Sequence, residues 1–205
     1  MENQTIQRLA NTTSTFIKGL PAIFAAFFVL IMRLNDSFFY LILFGAFFFC
    51  FAGDIGLEKG ILIGLPLFLI AQFLLSIAFL GQAVAIGLTI NNLILSTVVV
   101  FVVVLYMFMF LRYLDSSETG LGEFKIPVIA YCVVISLMFV SSFLLWIAIG
   151  KLESIVVVFG ALIFIVSDSL IGIHEFHHKI SKNVLKVMVT YYIAIFLLSL
   201  SVLVI

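Results

Sequence analysis

Residues 155–172 read Ile155-Val156-Val157-Val158-Phe159-Gly160-Ala161-Leu162-Ile163-Phe164-Ile165-Val166-Ser167-Asp168-Ser169-Leu170-Ile171-Gly172. The run is continuously apolar as far as Ser167. With its flanks it reaches the roughly 20 residues that a helix needs to cross a bilayer core. One acid, Asp168, stands inside it. An ionisable group at that depth costs about 2.5–3.5 kcal/mol on insertion scales. A chain carries such a group when it faces other helices or water, and usually when it has a task. A second acid, Asp54 in Phe51-Ala52-Gly53-Asp54-Ile55-Gly56-Leu57, closes another apolar run in the same manner.

The rest of the chain agrees with that class. Of 205 residues, 65% are hydrophobic and 10% charged, and the mean hydropathy is +1.38. A soluble domain could not cover itself with so little polar surface. The expected fold is an all-α polytopic membrane protein forming a single transmembrane helical domain over 1–205. The apolar runs do not alternate, which disfavours a β-barrel. Net charge is zero, so charge points to no nucleic-acid partner. Cys50 and Cys132 lie in apolar runs and do not read as a disulfide framework.

Seven spans are expected, at about 16–32, 37–54, 60–80, 91–111, 126–149, 153–173 and 185–204. The polar segment 1–15 is long and has no clean cleavage site, so the first run is expected to be a retained helix. The stretch 81–92 is open: a loop, an interfacial turn or the start of a longer fourth helix. An eighth crossing would need short spans. With seven, Arg8, Lys18, Lys59, Arg112, Lys125, Lys179, Lys182 and Lys186 fall on the N-terminal side, and Arg33 and Lys151 on the other. That bias puts the N-terminus in the cytoplasm and the C-terminus outside, in a protein of the cell (inner) membrane.

In this arrangement Asp168 lies about 9 Å inside the cytoplasmic boundary, six residues before His174 at 1.5 Å per residue. Asp54, Lys18, Tyr131, Tyr191 and Tyr192 fall in the same half, and Gln72 at mid-depth. Residues from six helices could thus line one cavity. Ser167 could cap Asp168 or bind substrate. A parallel duplication is also readable. Phe44-Gly45-Ala46 precedes Gly53-Asp54, and Phe159-Gly160-Ala161 precedes Ser167-Asp168. Ile70-Ala71-Gln72-Phe73-Leu74-Leu75 is matched by Ile193-Ala194-Ile195-Phe196-Leu197-Leu198. Chance is the competing explanation in a chain so rich in Phe, Ile and Leu.

Two acids across a cavity suit acid–base hydrolysis, one protonating the substrate and the other orienting or deprotonating water. The plainer alternatives are interfacial solvation for Asp54, and a structural hydrogen bond from Tyr131 or Tyr192 for Asp168. Lys18 could hold a lipid phosphate, pair with an acid or simply snorkel. A Ser-His-Asp triad is disfavoured because no histidine lies within a span. His174 and His178 are four apart beside Glu175, a spacing that can bind zinc. They lack a fourth ligand, and a solvated turn is expected there.

At these residues the chain resembles the YhhN family of membrane proteins, the lysoplasmalogenase-like family, over nearly its whole length. Lys18-Gly19-Leu20-Pro21 resembles Lys-Pro-x-Pro, and Gly53-Asp54-Ile55-Gly56-Leu57 resembles Gly-Asp-x-x-Leu. Gly64 to Phe73 resembles Gly-x-x-x-Phe-x-x-Ala-His. Pro127-Val128-Ile129-Ala130-Tyr131, with Met138 downstream, resembles Pro-Val-x-x-Tyr. Phe164 to Leu170 resembles Phe-x-x-Ser-Asp-x-x, and Tyr191-Tyr192-Ile193-Ala194 resembles Tyr-Tyr-x-Ala-Gln.

The resemblance implies hydrolysis of the vinyl-ether bond of lysoplasmalogens, a lysophospholipid substrate and no metal or cofactor. On that basis Asp54 and Asp168 are the catalytic pair, Lys18 meets phosphate, and Gln72, Tyr131, Ser167, Tyr191 and Tyr192 bind substrate. Gln72 and Ile195 stand where the family tends to have His and Gln, and Gly19 replaces a Pro. The competing functions are a small-solute or proton-coupled transporter and a metal-dependent membrane lipid hydrolase.

Overall fold

A computed structural model describes residues 2–32, 38–117 and 120–205, with side chains from Ile17 onward. Eight α-helices are described: α1 (Glu2–Ile31), α2 (Phe38–Lys59), α3 (Ile61–Ile86), α4 (Ile90–Asp115), α5 (Lys125–Ile149), α6 (Ile155–Phe176), α7 (Asn183–Ser199) and α8 (Ser201–Val204). No strand occurs among the described residues. Six segments are long and apolar enough to cross a membrane, namely α2 to α6 and the α7–α8 unit Asn183–Val204. The protein is an integral membrane protein. Helices are the expected solution in lipid, where every backbone N–H and C=O must be satisfied within its own segment.

The first expected span differs from the others. Its apolar part, Ile17–Ile31, is a shorter apolar helix than the six. It continues a helix that begins at Glu2, through a segment that reads as polar. Extending a helix costs far less than starting one, so an apolar stretch can carry a polar neighbour into helix. The open stretch 81–92 also resolves. Residues 81–86 belong to the end of α3, and the chain turns at Gly87 (φ 112°). Thr89 then caps α4, its Oγ1 accepting from the Asn92 amide at 3.3 Å. Such a cap is the usual start signal of a helix. The polar loop from Arg112 to Lys125 is shorter than its composition implies, because α4 runs on to Asp115.

Two hairpins form the frame. In α2–α3, a Cβ on Gly56 would meet the Gly64 Cα at 3.0 Å, and a Cβ on Gly64 would meet the Leu57 amide nitrogen at 2.7 Å. In α6–α7, a Cβ on Gly160 would meet the Leu198 amide nitrogen at 2.9 Å. Glycine lets the backbones approach where lipid gives little hydrophobic drive for helices to associate. α3 also packs against α5, and α1 against α2 and α7. The core they enclose is filled by Phe47, Phe79, Phe164, Met138, Leu145 and Leu198. α4 stands apart, resting on α5 and lightly on α6, with only Ser96, Val103 and Leu114 of its residues buried.

Short connections gather the end of α2, the start of α3, the end of α6 and the start of α7 at one end of the bundle, around one cavity. Ser117 Oγ donates to the Phe176 carbonyl at 2.7 Å, which ties the α4–α5 turn to the same end. Lys59, Arg112, Lys125, Lys179 and Lys182 therefore lie at the same end of the bundle. Arg33, counted on the other side, lies outside the described residues, as does the side chain of Arg8.

Candidate functional site

A cavity of about 370 Å³ opens at the charged end of the bundle. Asp54 reaches it from α2 and Asp168 from α6, together with Lys18, Ser167, Tyr191 and Tyr192. Both carboxyl groups are half-buried. Each accepts a phenolic hydrogen bond from a different helix. Tyr191 of α7 donates to Asp54 Oδ2 at 3.0 Å, and Tyr131 of α5 donates to Asp168 Oδ2. The Tyr191 ring is held edge-on by Phe68 and Phe164, at centroid distances of 5.8 and 5.5 Å. Aromatic edges pack favourably in this geometry, so the hydroxyl is aimed by its ring's surroundings.

Lys18 is held from both ends. Its ammonium pairs with Glu58, and its carbonyl accepts from Tyr192 at 3.0 Å. Ser167 is fully buried and donates to the Val187 carbonyl at 3.2 Å. That bond joins α6 to α7 just before Asp168. Ser167 therefore faces α7 and does not cap its neighbour.

A second, apolar cleft of about 80 Å³ lies between α3, α4, α5 and α6. Tyr131 lines this cleft and not the larger cavity. Asp168, Leu57, Ile61, Phe68 and Ile171 border both spaces.

Gln72 is placed differently from expectation. It lines neither space and is fully buried, with Oε1 and Nε2 lacking a hydrogen-bond partner among the described residues. Phe68, one turn earlier on the same face of α3, closes the cavity in its stead. The histidines do not share a helical face, because α6 ends at Phe176. His174 Nδ1 accepts the Ile180 amide at 3.0 Å, and His177 stacks on Tyr113 at 4.1 Å. Among the described residues no group of three His, Cys, Asp or Glu is arranged to hold a metal.

Glu58 and Asn183, unmarked in the sequence, and Glu175, marked there only beside the histidines, also line the cavity. A signal for two of them exists. Glu58 is four residues after Asp54 and Glu175 seven after Asp168, so each repeats its aspartate's face of the helix.

Comparison with known families matches residues 13–202 to the YhhN family. The chain belongs to the YhhN family. Neither a curated protein nor a solved structure matches it. In this YhhN protein Ile195 is a core residue, 1% exposed. Gly19 lies against Phe51, whose ring a Cβ there would meet at 2.6 Å. Ile195 thus lies in helix packing, whereas a Cβ on Gly19 would also stand 3.7 Å from the Asp54 Cβ, beside one of the two carboxyl groups.

Proposed function

We propose that the protein is an integral-membrane hydrolase that cleaves the vinyl-ether bond of lysoplasmalogen-type lysophospholipids, with Asp54 and Asp168 as the acid–base pair. One observation carries this: carboxyl groups from α2 and α6 open into a single cavity, each oriented by a tyrosine from a further helix. Lipid hydrolysis of this kind is also what YhhN resemblance implies.

The chemistry needs little else. One carboxylic acid gives its proton to the vinyl carbon remote from the ether oxygen. The electron pair of the double bond forms the new C–H bond, and an oxocarbenium ion remains at the carbon bound to oxygen. Water adds to that carbon and yields a proton to the second carboxylate. The resulting hemiacetal collapses. Its C–O bond to the glycerol oxygen breaks as that oxygen takes the proton from the second carboxyl group, the hemiacetal hydroxyl gives its proton back to the first carboxylate, and a fatty aldehyde and a glycerophospho-base leave. Positioned acid–base transfer of this kind contributes about 10²–10⁴-fold. Lys18 would meet the phosphate, with Tyr192 and Ser167 shaping the wall around it.

The charge bias of the loops supports a cavity mouth on the cytoplasmic side and a C-terminus outside. This requires the apolar part of α1 to cross as a seventh span. A phosphatase fused after Ile205 should then be active, and an inactive fusion would reverse the orientation. The α2–α3 and α6–α7 hairpins correspond in the duplication read from sequence, while their closest glycine contacts fall at non-equivalent positions. Phe68 and Tyr191, which occupy matching places in it, meet edge to face.

Purified protein supplied with alkenyl and acyl lysolipids is expected to release aldehyde from the alkenyl substrate. Loss of that release in Asp168→Asn is part of the expectation. No release of aldehyde or fatty acid from any of them, with wild type matching the variant, would end the proposal.

A further inference from the structure

The apolar cleft is built differently from the cavity beside it. Its walls are Leu65 of α3, Met107 and Phe110 of α4, and Ile135 and Ser136 of α5. Phe110 rests on Gly172 of α6, whose added Cβ would meet the ring at 3.2 Å. Higher up, Ser169 Oγ donates to the Ile165 carbonyl at 2.6 Å. Its one hydroxyl proton is thereby used, so Tyr106 is the donor in the 2.6 Å bond it shares with Ser169. α4 thus meets α6 through one hydrogen bond and one aromatic seam, rests more fully on α5, and is otherwise largely exposed.

The cleft and the charged cavity adjoin across a shared wall of Leu57, Ile61, Phe68, Asp168 and Ile171. The two acids are not equivalent in this respect. Asp54 borders only the charged cavity, whereas Asp168 borders both. Two adjoining spaces among membrane helices, one apolar and one charged, match an amphiphile with one hydrocarbon chain. Burial of each methylene in such a cleft contributes about 0.8 kcal/mol, which ranks chain length as a determinant of affinity.

Resting on the hydrolase assignment above, we infer that the α3–α6 cleft takes the hydrocarbon chain of the lysolipid while Lys18, Glu58 and Glu175 surround its polar head. Asp168 then faces the junction of chain and head, and Asp54 the water-filled side. α4, the least packed wall, is the side from which the chain enters out of the bilayer.

The test measures occupancy without turnover. The probes are saturated hexadecyl and hexyl ether analogues of a lysophospholipid, which have no vinyl bond to cleave. Ser136→Phe fills the cleft and is expected to lower the hexadecyl-to-hexyl affinity ratio about tenfold. An unchanged ratio in a folded variant overturns the inference. Wild-type protein provides the second measurement and needs no variant to fold. A hexadecyl analogue with a photoreactive group at mid-chain should label Met107, Phe110 or Ser136, and excess unlabelled analogue should suppress that labelling. Competable labelling confined to the outer face of α4, at Phe101 or Phe108, overturns it. Cleft labelling together with absent hydrolysis would retain the chain site and remove the hydrolase assignment.

Discussion

Tyr191 and Asp54 lie 137 residues apart and meet through a 3.0 Å hydrogen bond that joins α7 to α2. The bond sets the direction of a carboxyl group that opens into the charged cavity. Its counterpart, Tyr131 to Asp168, joins α5 to α6. Four helices are therefore locked together at the point where the proposed chemistry occurs.

Tyr191→Phe keeps the ring between Phe68 and Phe164 and removes only the hydroxyl. Loss of a hydrogen bond of this kind costs about 0.5–3 kcal/mol. The detergent-solubilised variant should melt a few degrees lower. Its turnover should fall by roughly tenfold, as expected for about 1.4 kcal/mol of transition-state positioning. Thermal melting and initial rates on an alkenyl lysolipid read both, and full activity would exclude Tyr191 as a positioning residue.

Asp54→Asn and Asp168→Asn should each lower kcat by about 10²–10⁴-fold, the usual contribution of a positioned acid or base. The double variant should lose little more than the worse single one, because residues acting in one reaction are not additive. Rates for the three variants and wild type, on protein of matched folding, check this. Multiplying losses would mean that the two carboxyl groups act separately.

Lys18→Ala should act on binding. The Lys18 and Glu58 side chains are 29% and 39% exposed, and a pair in such a setting contributes at most about 1 kcal/mol to stability. The melting temperature should barely change. KM for a phosphate-bearing lysolipid should rise severalfold, with the difference shrinking as salt screens the charge. Glu58→Gln, which releases the ammonium for the substrate, should lower KM. Salt-dependent kinetics decide the matter, and an unchanged KM in both variants would remove Lys18 from the binding site.

Gln72→Leu should not weaken the protein. Both polar atoms of Gln72 are buried without partners among the described residues. An unsatisfied buried group costs about 1–3 kcal/mol, so an apolar side chain of similar size should raise the melting temperature. Activity should change little, since Gln72 borders neither space. A marked loss of stability would mean that a buried water completes the site.

Gly64→Ala should destabilise by about 1–3 kcal/mol, the typical cost of an added methyl in a packed contact. The new Cβ would press on the Leu57 backbone nitrogen at 2.7 Å, which cannot swing aside as a side-chain tip does. A parallel Gly81→Ala meets nothing within 4 Å and should be neutral. Equal melting temperatures for the two would show that α2 and α3 are not in close contact.

The helical class and the approximate extent of six apolar segments were readable directly. Long unbroken apolar runs have one stable form in lipid, and their borders follow from where charges and glycines begin. Asp54 and Asp168 were readable for a related reason: an acid in an apolar run is costly enough to stand out. Their tyrosines were only partly readable. Tyr131 appeared among two possible partners for Asp168, while the Tyr191–Asp54 bond had no sign in sequence. Gln72 shows the limit. Depth along a helix is visible in sequence, but facing is not, because a helix that is apolar all round carries little periodicity to orient it.

Composition and order alone decided that this chain is a helical membrane protein of the YhhN family with two costly acids near the ends of its spans. Local chemistry sufficed, since hydrophobicity and short motifs are properties of neighbouring residues. Only tertiary packing decided that the acids share a cavity, that Tyr131 and Tyr191 orient them, and that an apolar cleft adjoins Asp168 alone. Those relations depend on how helices turn and pair, through close contacts within a hairpin such as Gly56–Gly64 and Gly160–Leu198 and through the Tyr191–Asp54 bond across 137 residues.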